Sequence, residues 1–74
     1  MKVLITGGLG NIGQQVTAEL VKDGFDIRVF DLKNKKNLKT AKKMKNVEFF
    51  WGDITKEEDI KNALKDIDLV VHLA

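Results

Sequence analysis

The segment Ile5-Thr6-Gly7-Gly8-Leu9-Gly10-Asn11-Ile12-Gly13 constrains this chain more than any other. Its four glycines join the apolar run Val3-Leu4-Ile5 to a helix-like stretch, Gln14 to Lys22. Two glycine registers overlap here: Gly8, Gly10 and Gly13 give G-x-G-x-x-G, and Gly7, Gly10 and Gly13 give G-x-x-G-x-x-G. In either register an early glycine permits the tight turn out of a strand, Gly10 lets the backbone approach a pyrophosphate, and Gly13 lets the helix lie close on the strand. A helix that starts here offers free N–H groups and the positive end of its dipole to an anion. Glycines alone would also suit a bare strand-to-helix turn, and the flanking strand, helix and downstream acid separate the two readings.

Lys2 to Thr6 reads as a strand without polar alternation, as expected of a central parallel strand covered on both faces. Ile12, Val16 and Leu20, widened by Val21, recur at helical spacing and predict the buried stripe of the first helix; Gln15, Glu19 and Lys22 fall opposite. Gly24 is the expected left-handed stop, and Phe25 to Leu32 is the second strand. Asp31 closes that strand eighteen positions after Gly13, where a carboxylate can accept from the hydroxyls of an adenosine ribose. A 2′-phosphate would bring a second negative charge to it, so an acid here favours NAD over NADP. Capping the strand as a turn residue is the other role open to Asp31.

Seven of the thirteen residues from Lys33 to Lys45 are lysine, and Leu38, Ala41 and Met44 form one thin apolar stripe. A short solvated helix is the direct reading, with contact to an anion (a nucleic acid or the 2′-phosphate of NADP) as the alternative. The run carries no arginine or aromatic residue for base stacking or bidentate phosphate binding, so a nucleic-acid partner is not expected. Val47 to Trp51 is the third strand, and its Phe49, Phe50 and Trp51 supply much of the apolar area for a core. Thr55-Lys56-Glu57-Glu58 has the spacing of a capping box, which predicts a helix that buries Ile60, Ala63, Leu64 and Ile67 and ends near Asp66. Asp68 to Ala74 is the fourth strand. Strand and helix alternate throughout, so the expected fold is α/β, with a parallel sheet of four strands in the order 3-2-1-4 and right-handed crossovers.

Composition bounds the rest. With 43% hydrophobic and 32% charged residues, the chain has the make-up of one small globular domain without a linker or repeat. No apolar run is long enough for a bilayer and no signal-peptide pattern opens the chain, so no membrane partner is expected and the cytoplasm is the expected compartment. There is no cysteine, hence no disulfide framework or thiolate metal site, and a net charge of +2 does not argue for nucleic acid.

Thr6-Gly7-Gly8-Leu9-Gly10-Asn11-Ile12-Gly13 resembles the T-G-x-x-G-x-x-G cofactor loop of the short-chain dehydrogenase/reductase superfamily. Its Gly-Asn-Ile-Gly ending resembles the extended branch, which contains the NAD-dependent nucleotide-sugar epimerases and dehydratases. Gly52-Asp53-Ile54 and Val70-Val71-His72-Leu73-Ala74 resemble two further segments of that branch. The resemblance implies a partial Rossmann fold that binds a dinucleotide, NAD in preference to NADP, through Gly7, Gly10, Asn11, Ile12 and Gly13 at the loop and Asp31 and Leu32 at the second strand. It further implies that Asp53 meets the adenine amino group, that Ile54 lies against the ring, and that Leu73 and Ala74 sit beside the nicotinamide-side ribose. Apart from the resemblance, Gly52-Asp53 would be a turn before a helix.

The family's hydride transfer uses a serine or threonine, a tyrosine and a lysine four residues beyond it. This sequence has no tyrosine, and no catalytic residue is assigned. His72 has no base partner or nucleophile beside it and is read as a polar residue satisfied within the fold. The expectation is therefore an N-terminal part of a larger epimerase, dehydratase or reductase acting on a nucleotide-sugar or similar alcohol. A non-catalytic NAD(P)-sensing module is the alternative. An apolar fourth strand left at the sheet edge also predicts self-association.

Overall fold

Val3, Leu4, Ile5 and Thr6 are all buried, so the strand they form, β1 (Lys2–Thr6), has no solvent face. A computed structural model describes residues 1–74, with α1 (Asn11–Lys22), β2 (Asp26–Asp31), α2 (Lys35–Ala41), β3 (Val47–Trp51), α3 (Glu57–Ala63) and β4 (Leu69–His72) following in turn. The strands lie parallel in the order β3-β2-β1-β4, as the alternation predicts. Val71, Ile5, Val29 and Phe49 form one cross-sheet row.

Residue parity sorts the core into two layers. Val3, Ile5, Ile27 and Val29 face Leu9 and pack with Val16, Leu20 and Val21 of α1, and with Ala41 and Met44 beyond it. On the other face Leu4 and Phe30 meet Ala63 of α3, together with Phe50, Ile54 and Ile67. The aromatic strand β3 serves both layers. Phe50 stacks on Phe30 at 5.8 Å between ring centres, while Phe49 stacks on Trp51 at 5.6 Å. Helix α1 stops as expected: Gly24 takes φ +91°, its N–H donates to Val21 O and the Phe25 N–H donates to Leu20 O, which satisfies the last carbonyls.

Three local expectations are corrected. Helix α1 begins at Asn11, and Gly13 and Thr17 rather than Ile12 hold the buried positions of its first turns. Packing Gly13 against the loop turns Ile12, one residue earlier, outward by about a third of a revolution, and it is 69% exposed. The capping box does not form: the Thr55 hydroxyl donates to Asp53 Oδ1 at 2.7 Å, and Lys56 takes the N-cap position of α3 without a side-chain cap. Helix α3 then ends at Ala63, which leaves Leu64 exposed.

A buried arginine closes α3 instead. The Arg28 guanidinium donates to Ala63 O at 2.7 Å, to Lys65 O at 2.8 Å and to Glu48 Oε1 at 3.1 Å. Orphan carbonyls at a helix C-terminus carry partial negative charge, so a cation is well placed there.

Candidate dinucleotide site

The glycine loop is anchored by Leu9 at its centre. The Leu9 side chain is buried in the core, its N–H donates to Asp31 Oδ2 at 3.1 Å and its carbonyl accepts from Gln14 Nε2 at 3.1 Å. Gly7 takes φ +71°, and a Cβ there would stand 2.9 Å from the Ala74 backbone nitrogen. A Cβ at Gly8 would meet Val29, and one at Gly13 would collide with Gly7 O and the Gly8 backbone. Gly10 differs. Its φ of −74° suits any residue, it is exposed, and the nearest atom to an added Cβ is Gly7 O at 3.7 Å. Behind it the N–H groups of Asn11, Ile12 and Gly13 find no acceptor in the protein, and Gly10 supplies no side-chain cap. An anion at this helix start therefore meets open donors and a free approach.

The strand ends bring the remaining residues together. Gly7, Phe30, Asp31, Leu32, Asp53, Ile54, Thr55 and Ala74 line a concavity of about 210 Å³. That is below the roughly 300–1,000 Å³ of clefts that enclose a whole drug-sized ligand, and suits one half of a dinucleotide. Asn11, Ile12 and Gly13 open α1 beside it, with Gly10 as their cap, and Leu73 supports Gly7 from the end of β4. A larger cleft of about 430 Å³ runs between α1 and Lys43–Val47, away from the glycine loop.

Each carboxylate of the concavity is held by local donors. Asp31 Oδ1 accepts from its neighbour Leu32 N–H at 2.8 Å and from Asn37 Nδ2 at 3.3 Å, while Oδ2 accepts from Leu9. Asp53 Oδ1 accepts from both the hydroxyl and the N–H of Thr55, which hold its carboxyl below the usual aspartate range, so it remains an ionised acceptor. The Asp53 N–H in turn donates to Asp59 Oδ2 at 2.9 Å. His72 lies outside this set: its Nδ1 is 2.6 Å from Thr6 Oγ1, a bond that joins β4 to β1.

Sequence reasoning passed over Phe30, Thr55, Asn37 and the anchoring role of Leu9. Thr55 had a visible signal, since an Asp-x-Thr run competes with a capping box for the same hydroxyl. Asn37 had none, because only the fold turns its amide back onto the strand end.

Parallel strands whose C-terminal ends carry a glycine loop, an acidic residue closing β2 and open helix N–H groups define the first half of a Rossmann dinucleotide-binding fold. The chain belongs to the 3-beta hydroxysteroid dehydrogenase/isomerase family, which it matches over residues 4–74. Among curated proteins it is 34% identical to a UDP-glucose 4-epimerase of Rickettsia bellii, over 97% of this chain and 23% of that protein. It is 32% identical to a mouse sterol-4-alpha-carboxylate 3-dehydrogenase, over 99% of this chain and 18% of that one. Among solved structures, the Thermus thermophilus UDP-glucose 4-epimerase in complex with NAD superposes with a TM-score of 0.79 at 30% identity, over 100% of this chain and 24% of that one. The chain thus spans about a quarter or less of the length of these relatives. The extended short-chain resemblance and the Rossmann architecture both stand.

Proposed function

We propose that this chain binds NAD through its adenosine and pyrophosphate half, as the N-terminal cofactor-binding part of an NAD-dependent epimerase, dehydratase or reductase. The observation that carries this reading is Gly10, a glycine that the protein's own packing does not require, placed before three N–H groups without acceptors. The pyrophosphate would sit on Gly10, Asn11, Ile12 and Gly13. Asp31 would take the ribose hydroxyls, with Leu32 beside it, and the ionised Asp53 would accept from the adenine amino group while Ile54 covers the ring. Leu73 and Ala74, against Gly7, would border the nicotinamide-side ribose. Bound NAD supplies a nicotinamide ring that takes up or returns a hydride; these residues bind and orient it. The relatives' names favour a nucleotide-sugar or sterol-like alcohol as the substrate of the longer protein.

Calorimetric titration of the chain with NAD, NADP and ADP-ribose, beside an Asp31→Ala variant, tests the reading. NAD and ADP-ribose should bind, NADP should bind more weakly, and the variant should lose that preference. A chain folded by circular dichroism that binds none of the three would overturn it.

A further inference from the structure

We infer that Asn37 is a positioning residue for ribose recognition, acting through Asp31; the inference rests on the NAD-binding reading above. Asn37 lies in the first turn of α2, where its own N–H donates to Asn34 Oδ1 at 2.8 Å and so completes the helix cap. Its side chain points away from that cap, back to the end of β2. There Nδ2 donates to Leu32 O at 2.7 Å and to Asp31 Oδ1 at 3.3 Å. Both partners only accept, which fixes the amide with its nitrogen toward them and uses both of its N–H groups.

The surroundings make this placement selective. Lys33, Asn34, Lys35, Lys36, Leu38 and Lys39 are exposed, and Asn37 alone in that stretch is half-buried. With Leu9 N–H on Oδ2 and Leu32 N–H on Oδ1, the Asn37 amide completes a three-point hold that sets the plane of the carboxylate. Oδ2, with Leu9 as its one partner, keeps an acceptor position open for a ribose hydroxyl. A carboxylate that must meet two adjacent hydroxyls at once gains most from a fixed plane, since orientation is then not lost on binding.

The test is titration of the 74-residue chain and its Asn37→Ala, Asn37→Gln, Asp31→Ala and Asp31→Ala/Asn37→Ala variants with NAD, ADP and 2′,3′-dideoxy-ADP, with thermal melts of each. Asn37→Ala should weaken NAD and ADP about three- to tenfold, roughly one hydrogen bond's worth. It should leave dideoxy-ADP binding unchanged and add nothing in the Asp31→Ala background, and Asn37→Gln, which keeps the donor, should recover part of the loss. Equal losses for ADP and dideoxy-ADP, full additivity with Asp31→Ala, or no loss at all would overturn the role of Asn37 while leaving the site standing. Failure of the folded wild type to bind NAD or ADP would instead overturn the reading of the whole site, and this inference with it.

Discussion

A methyl group added at Gly13 would run into Gly7 O and the Gly8 backbone, whereas one added at Gly10 would stand 3.7 Å from its nearest neighbour. The two glycines therefore separate folding from binding. Gly13→Ala should lower stability by about 1–3 kcal/mol, read by thermal or urea unfolding, because backbone atoms on both sides must move. Gly10→Ala should melt with the wild type yet lose NAD affinity about tenfold in calorimetry, since the methyl would fill the space that a pyrophosphate needs and obstruct a charge-assisted hydrogen bond. A Gly10→Ala chain that binds NAD like the wild type would remove the principal support for the site.

Among the elements, β2 joins the two core layers and β3 draws on both, and the element most dependent on a single side chain is α3. Truncating Arg28 to alanine leaves Ala63 O and Lys65 O without their donor and separates Glu48 from a cation, so it should cost about 2–4 kcal/mol in unfolding experiments. Glu48 also makes a 2.8 Å ion pair with Lys2, and that hydrogen bond, ahead of Arg28, holds its carboxyl below the usual range. A group whose pKa is lower in the folded state stabilises above its unfolded value, near about 4.3, and that contribution fades as pH falls through the folded value. Glu48 is about half-exposed, so the effect should stay below roughly 1 kcal/mol, and Glu48→Gln should flatten the acid limb of the stability–pH curve by that amount.

The strands were legible because their apolar runs lack the helical period, and Lys2–Thr6 and Val47–Trp51 coincide with the strands read from them. The glycine loop was legible because Gly7 and Gly13 answer to backbone sterics that only glycine meets, with Gly10 set between them at the motif's spacing. Ile12, Thr55, Arg28 and Asn37 were not, because each answers to a partner distant in sequence or to a rival local bond. A helical wheel cannot tell which of two adjacent residues the tertiary packing will turn inward, as Ile12 and Gly13 show.

At the scale of the whole molecule, 13 of 74 residues are buried, so stability should be modest. The two sheet edges are unlike. β3 carries Glu48 and follows Lys42, Lys43 and Lys45, charges that discourage edge pairing, whereas β4 presents exposed Leu69 and Val70, followed by exposed Leu73, with no formally charged side chain from Leu69 to Ala74. The 74-residue chain should therefore associate through β4 as concentration rises. Light scattering should detect this, and Val70→Lys should suppress it; a wild type that stays monomeric would show that the edge is protected.

The support of Gly7 by Leu73 and Ala74, and the bond between Thr6 and His72 across 66 positions of sequence, also bear on the order of assembly. The glycine loop spans residues 7–13, yet Leu73 and Ala74, at least sixty positions later, complete its shape. Contacts so distant in sequence form late in folding. The amides of Gly7 to Leu9 should therefore gain protection from exchange together with β4 when the chain refolds, and protection of the loop before β4 would overturn that order.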